Sequence, residues 1–255
     1  MNDFSQSFEE RLQEIEEYLD FLEALEQQVQ SGTPQLGENG ATITVKQQRI
    51  LYSSVYLQLY NLIESTISRC LQAVSEGIIE EGVRPDQLSE DLRREWVRFV
   101  ARTHTELNYE NRLRSVLVLC EHLIQELPIS TFEISKGAGG NWDYGLINSL
   151  GERLGFSLSV SRGTYQNIRR RIRDDKGVLE LVKGFRNDLA HGSISFAECG
   201  EGVTVSELRD FTNRTSAYLR EIIDCFKSSL ENCQFLRPEH RPNNQENEIV
   251  SEQSP

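Results

Sequence analysis

Proline is rare in this chain of 255 residues. The six are Pro34, Pro85, Pro128, Pro238, Pro242 and Pro255. The long stretches between them lack the residue that most effectively breaks a helix. Cysteine is also sparse. Cys70, Cys120, Cys199, Cys225 and Cys233 are odd in number and form no CxxC, which argues against a disulfide framework and a zinc ribbon. No run approaches 18 consecutive apolar residues, so no membrane-spanning helix is written. The first twenty residues are acidic and polar, so no signal peptide is expected and a cytoplasmic location is. The four histidines, His104, His122, His191 and His240, stand apart with no HxxxH spacing, and no GxSxG elbow occurs. The glycine-rich GAGGN at 137–141 lacks the Lys-Ser/Thr of a phosphate loop. Neither a metal nor a cofactor is expected.

What is present is enough for a core. Hydrophobic residues make up 38%, which rules out wholesale disorder, and the length suits one large domain or two small ones. The net charge is −13, and a uniformly acidic surface repels phosphate backbones. The charge is uneven, however. Between Arg162 and Arg186 lie eight basic residues and only three acidic ones, a net of +5. Any contact with a polyanion belongs there. Arginine outnumbers lysine 22 to 5. Its planar fork suits phosphate, although genome base composition explains such a bias equally well.

Apolar spacing predicts helices almost throughout. Phe8, Leu12, Ile15, Leu19, Leu22 and Val29 form a narrow stripe on an acidic helix over about 4–30, able to pack in cis or on a partner. A second, long helix over about 45–76 keeps a 3.6-residue period, with Tyr52, Tyr56 and Tyr60 along its edge as core. Ser89 caps a third, over about 90–103. A fourth, over about 108–127, is apolar at Leu113, Val116, Leu117, Leu119, Cys120, Leu123 and Ile124. A short helix follows near 143–153. The fifth long helix starts at a cap on Asp174 or Asp175 and stops at Gly192. The segment 193–204 reads as a small extended hairpin or turn. Thr204 and Glu207 then form a capping box opening the last long helix, to about Phe235. The expected fold is an all-α antiparallel bundle of about five long helices. Its divisions are an N-terminal helix (1–31), a helical domain (45–235) and a disordered tail (236–255).

One constellation carries chemistry. Arg186-Asn187-Asp188-Leu189-Ala190-His191 places an arginine and a histidine with four residues between them, at the end of a helix that closes the basic window. RNA brings its own nucleophile, the 2′-OH. Cleavage needs a base for that proton, an acid for the leaving 5′-oxygen and a cation for the phosphorane. Histidine serves as acid or base near neutral pH, and arginine grips two nonbridging oxygens. A plainer reading makes the pair a helix-end ion pair and cap. A second match, Arg98 to His104, has Phe99 after the arginine and no basic surroundings, and reads as chance.

Here the chain resembles the HEPN superfamily (higher eukaryotes and prokaryotes nucleotide-binding), whose α-helical bundles carry an R-x(4–6)-H signature with a polar residue after the arginine, here Asn187. The resemblance spans roughly residues 45–235. It implies a metal-independent endoribonuclease of a toxin–antitoxin or anti-phage defence system, working as a homodimer with two Arg186 and two His191 in one cleft. It also implies a protein antitoxin or sensor partner. Arg186, His191, Asn187 and Asp188 are the catalytic candidates. Arg169, Arg170, Arg173 and Lys183 are candidates for RNA binding, with Arg169 and Arg173 on one face of a helical stripe. That basic run also fits arginines neutralising the acidic first helix. Family toxins that are adenylylated carry a tyrosine where this chain has Ser193, so that control is not expected. The alternative is a non-catalytic helical subunit of a larger complex.

Overall fold

Helix α2 (Val45–Glu80) is the element on which the others are assembled. It opens with a capping box, Thr44 receiving the Gln47 N–H while the Gln47 side chain receives the Thr44 N–H, so two orphan donors are satisfied at its start. Its 36 residues span about 54 Å. Val55, Leu59, Ile63, Ile67, Cys70, Val74 and Ile78 are fully buried along it. The computed structural model describes residues 4–37, 40–102, 106, 108–137 and 141–242. The described residues contain nine α-helices and no strand longer than an isolated bridge.

Helix α1 (Phe4–Ser31) packs in cis on α2 and on the C-terminal helix α9 (Val205–Glu231). Phe8, Leu12, Ile15, Leu19 and Leu22 enter the same core as α2, so the first helix shares the core of the domain. Leu25 is buried, while Val29, assigned to the stripe from its spacing, is exposed. The acidic back of α1 is tied to α9. Arg209 reaches Asp20 and Glu23, and Arg220 grips both carboxylate oxygens of Glu9 at 2.9 Å. The cations that answer α1 therefore come from α9 and not from the arginine run at 169–173.

Helix α3 (Glu90–Ala101) is capped by Ser89 and carries Glu90 and Asp91 in its first turn, where the helix dipole favours negative charge. Helix α4 (Tyr109–Ile124) starts at the Asn108 cap and packs on α3. Its apolar positions are read from their helical spacing, yet no residue of α4 is buried. The helical period is right, but the other elements have already closed the core without it. Helices α5 (Tyr144–Leu154) and α6 (Arg162–Arg169) follow, then α7 (Val178–His191).

Three local expectations are corrected. Residues 193–204 form no hairpin. Ser195 and Glu198 make a reciprocal capping box that winds them into the short helix α8 (Phe196–Cys199). Helix α7 does not begin at Asp174 or Asp175. Both lie in the left-handed region, with φ of 50° and 58°, inside a tight turn closed by the Lys176 N–H on the Arg173 carbonyl at 2.9 Å. Aspartate tolerates that conformation, and the cap falls to Gly177. The tail does not begin at 236. Leu236 bridges to Leu88, the Arg237 N–H donates to the Gln87 carbonyl, and Pro238–His240 form a 3-10 turn. Residues 243–255 lie outside the described ones.

Helix α8 sits against the start of α2. A Cβ placed on Gly200 would lie 2.0 Å from the Arg49 carbonyl oxygen. Gly200→Ala is therefore expected to cost about 1–3 kcal/mol through overpacking, measured by urea unfolding. Gly163→Ala in α6, where a Cβ meets open space, is expected to match or slightly exceed the wild type.

Candidate active site

The inner face of α7 is apolar. Val178, Leu179, Leu181, Val182 and Leu189 are buried, which fixes how the helix is rotated on α2. Phe185 sets its ring 4.6 Å from that of Tyr56. The next residue, Arg186, lays its guanidinium over the Tyr60 ring, 3.7 Å from the centroid. The Arg186 Nε is buried and has no hydrogen-bond partner among the described residues. The electron-rich ring face is thus its main compensation for lost water. Tyr60 is itself held, because its hydroxyl accepts the Trp142 backbone N–H at 3.1 Å, and Trp142 is fully buried.

Lys183, Asn187 and His191 are four residues apart and share one stripe of α7, with Arg186 on the adjacent stripe. Asn187 is half-buried and His191 is exposed. Gly192 ends the helix with φ of 71°, a left-handed conformation in which glycine has no Cβ penalty. The Ser193 N–H then closes back on the Asp188 carbonyl at 2.9 Å. The chain turns away at that point, and the imidazole stays at the surface.

Asp188 does not join this group. It lies on the flank of α7 toward α8. There, burial first and the Asp188 charge second push the Cys199 thiol up to about 11. Around α7 the order is thus Arg186, Asn187, His191 and then Asp188, with Arg186 and His191 about 140° apart.

The proposed RNA-binding residues are mostly paired. Arg170 lies 3.6 Å from Asp210, and Arg173 lies 3.4 Å from Glu207. Lys183 is bonded to Asp143. Helix α6 ends at Arg169, so the run 169–173 is not a helical stripe and the expected shared face of Arg169 and Arg173 is absent. Arg169 instead lies over two aromatic rings, 5.1 Å from Tyr144 and 5.7 Å from Tyr165, with an N–H donated to the Tyr165 hydroxyl. It borders a groove of about 380 Å³ between α5, α6 and the start of α7. His104, the far end of the chance match, lies outside the described residues. Among the described residues no three His, Cys, Asp or Glu side chains gather as metal ligands.

Sequence reasoning missed Tyr60 and Asp143. Tyr60 belongs to the Tyr52/Tyr56/Tyr60 strip, and its spacing gave a helix edge but not the helix that lies against it. Asp143 carries the cap of α5, receiving the Leu146 N–H at 2.9 Å. Burial opposes its charge, but Lys183 and the backbone donors outweigh that and hold the carboxyl below its ordinary value.

An all-α bundle whose penultimate long helix ends in an R-x4-H motif, its histidine exposed, is the architecture expected of a HEPN domain. The chain belongs to the HEPN superfamily: the model of the HEPN_MAE_28990-like HEPN family matches residues 2–235, and so includes α1. No curated protein and no solved structure matches. Membership points to a nuclease-like or RNA-related role.

Asp143→Asn keeps a good N-cap but removes the charge facing Lys183. A carboxyl with a lowered folded-state pKa stabilises the fold above its unfolded value and loses that contribution as pH falls through the folded value. The variant is expected to lose about 1 kcal/mol at pH 7, with the gap closing below about pH 4. Urea unfolding at the two pH values checks this, and an equal gap at both contradicts it.

Proposed function

We propose that the protein is a metal-independent endoribonuclease of a toxin–antitoxin or anti-phage defence system, with Arg186 and His191 at the reacting phosphate. The observation that carries this reading is the Arg186 guanidinium lying over the Tyr60 ring, on the helix that also presents Asn187 and an exposed His191. A histidine takes the proton of the 2′-OH, which attacks the adjacent phosphorus. Arg186 stabilises the charge on the nonbridging oxygens. A second histidine protonates the departing 5′-oxygen, leaving a 2′,3′-cyclic phosphate and a free 5′-hydroxyl.

Each chain offers one histidine at this site, so the reaction calls for two copies about a twofold axis, each lending Arg186 and His191. Asn187, between them on the helix surface, is placed to orient the imidazole or a water. The RNA strand runs along the start of α7 toward Arg169. The ion pairs of Arg170, Arg173 and Lys183 do not prevent this. The Arg170 pair is exposed and worth roughly 0–1 kcal/mol, so a phosphate can take the place of its carboxylate, whereas the part-buried Lys183 pair with Asp143 is the harder one to exchange. A protein antitoxin or sensor would act by covering the same side of α7.

The test is cleavage of a single-stranded RNA by the purified full chain. Arg186→Ala is expected to lower kcat about 10²–10³-fold, and His191→Ala about 10²–10⁴-fold. Replacing the RNA with the same DNA sequence is expected to abolish cleavage, and EDTA to leave it unchanged. Variants that both cleave like the wild type overturn the assignment, as does cleavage of the DNA.

A further inference from the structure

The groove between α5, α6 and the start of α7 lies beside the Arg186 site but outside it. Its floor is apolar and closed, since Ile168 and Leu179 are 2 and 1% exposed. One wall is Tyr144, whose ring centroid lies 6.0 Å from that of the buried Tyr218 and 5.9 Å from that of Tyr165. The exposed Arg169 lies over this ring and makes no ion pair among the described residues. From α7 comes Glu180, held by the Gly177 N–H on its Oε2 at 3.0 Å and with no other partner among the described residues. The second carboxylate of the groove, Asp175, is already bonded to Arg171 at 3.1 Å. An unpaired base asks for a flat π or guanidinium face to stack on and a polar group for its edge. The groove offers both.

The groove also runs into the phosphate site. Asp143, bonded to Lys183 of α7, directly precedes Tyr144. Glu180, Asn187 and His191 fall within about 40° of one another around α7, and Glu180 and Arg186 are about 9 Å apart along its axis. A strand held at Arg186 and His191 therefore reaches the groove with a neighbouring nucleotide.

We propose that this groove takes a guanine base of the RNA strand, stacked against Arg169 and Tyr144 and read by Glu180. The proposal rests on the nuclease reading and adds a base preference to it. A carboxylate only accepts hydrogen bonds. Guanine alone among the four RNA bases sets two N–H donors side by side on its Watson–Crick edge, N1–H and N2–H. The other three set an acceptor next to each donor, and that acceptor faces the carboxylate unfavourably. With the Gly177 N–H, the two guanine donors fill three of the roughly four acceptor sites of Glu180.

The test uses short 2′-O-methyl oligouridines carrying one guanosine, adenosine or cytidine. Their attacking hydroxyl is blocked, so binding to the full chain is read by fluorescence anisotropy without cleavage. The guanosine probe is expected to bind at least about tenfold tighter than the others. Glu180→Gln keeps a capping side chain but replaces an acceptor with a donor, and is expected to bring the guanosine probe to the level of the adenosine probe. Arg169→Ala is expected to weaken the guanosine probe about tenfold. A wild type that binds the probes equally, or none of them, overturns the proposal, as does guanosine selectivity that survives Glu180→Gln. Cleavage mapped on ordinary RNA separates the two readings. A wild type that selects guanosine but cleaves nothing supports the groove and overturns the nuclease. Cleavage that depends on Arg186 and His191 but shows no base preference does the reverse.

Discussion

The stacking of Arg186 on Tyr60 ties the candidate site to the core. A guanidinium whose Nε is shut off from water without a hydrogen-bond partner is costly. The Tyr60 face offsets this by about 2 kcal/mol in a desolvated setting. The ring cannot swing away, because the Trp142 N–H fastens its hydroxyl and Trp142 is packed in the core. The next residue, Asp143, returns the connection to α7 through Lys183. Helices α2, α5 and α7 are thereby closed into a triangle. Arg186 stands at one corner, beside the Phe185–Tyr56 ring contact that also joins α7 to α2. Where α7 lies decides where His191 emerges one turn later.

The acidity of the chain takes a different meaning once the pairs are known. The arginines of α9 hold the acidic back of α1, and acids on α9 in turn hold Arg170 and Arg173. Four of the eight basic residues between 162 and 186, namely Arg170, Arg171, Arg173 and Lys183, are thus engaged in ion pairs. The other four are Arg186 against its ring, Arg169 between two tyrosines, and the exposed Arg162 and Lys176. On the nuclease reading proposed above, such a surface would hold RNA through a few placed contacts, and its affinity would depend less steeply on salt than that of a basic patch.

Much of the architecture was legible because helix signals are local. The caps at Ser89 and Thr204, the periods of α1, α2 and α9, and the stop at Gly192 rest on neighbours within one turn. Errors arose where the deciding partner is distant or where two local signals compete. Ser195 and Glu198 outweighed the glycines that suggested a hairpin, and two aspartates took left-handed backbone where a cap was expected. The apolar period of α4 is a true helix signal, but no periodicity states whether the face meets its own core or water. In the site, the Arg186–His191 spacing identified the family, whereas Tyr60 lies 126 positions away in the chain, and nothing local to either residue announces the stack.

The claim that Tyr60 positions Arg186 for chemistry is tested most directly by the steady-state kinetics of RNA cleavage in two substitutions of that ring. Tyr60→Phe keeps the aromatic face and is expected to retain kcat within about threefold. Tyr60→Leu removes the face and is expected to lower kcat at least tenfold, with KM little changed and the circular dichroism of the wild type. A Tyr60→Leu protein that cleaves RNA at the wild-type rate, or a Tyr60→Phe protein as impaired as Tyr60→Leu, would contradict the account.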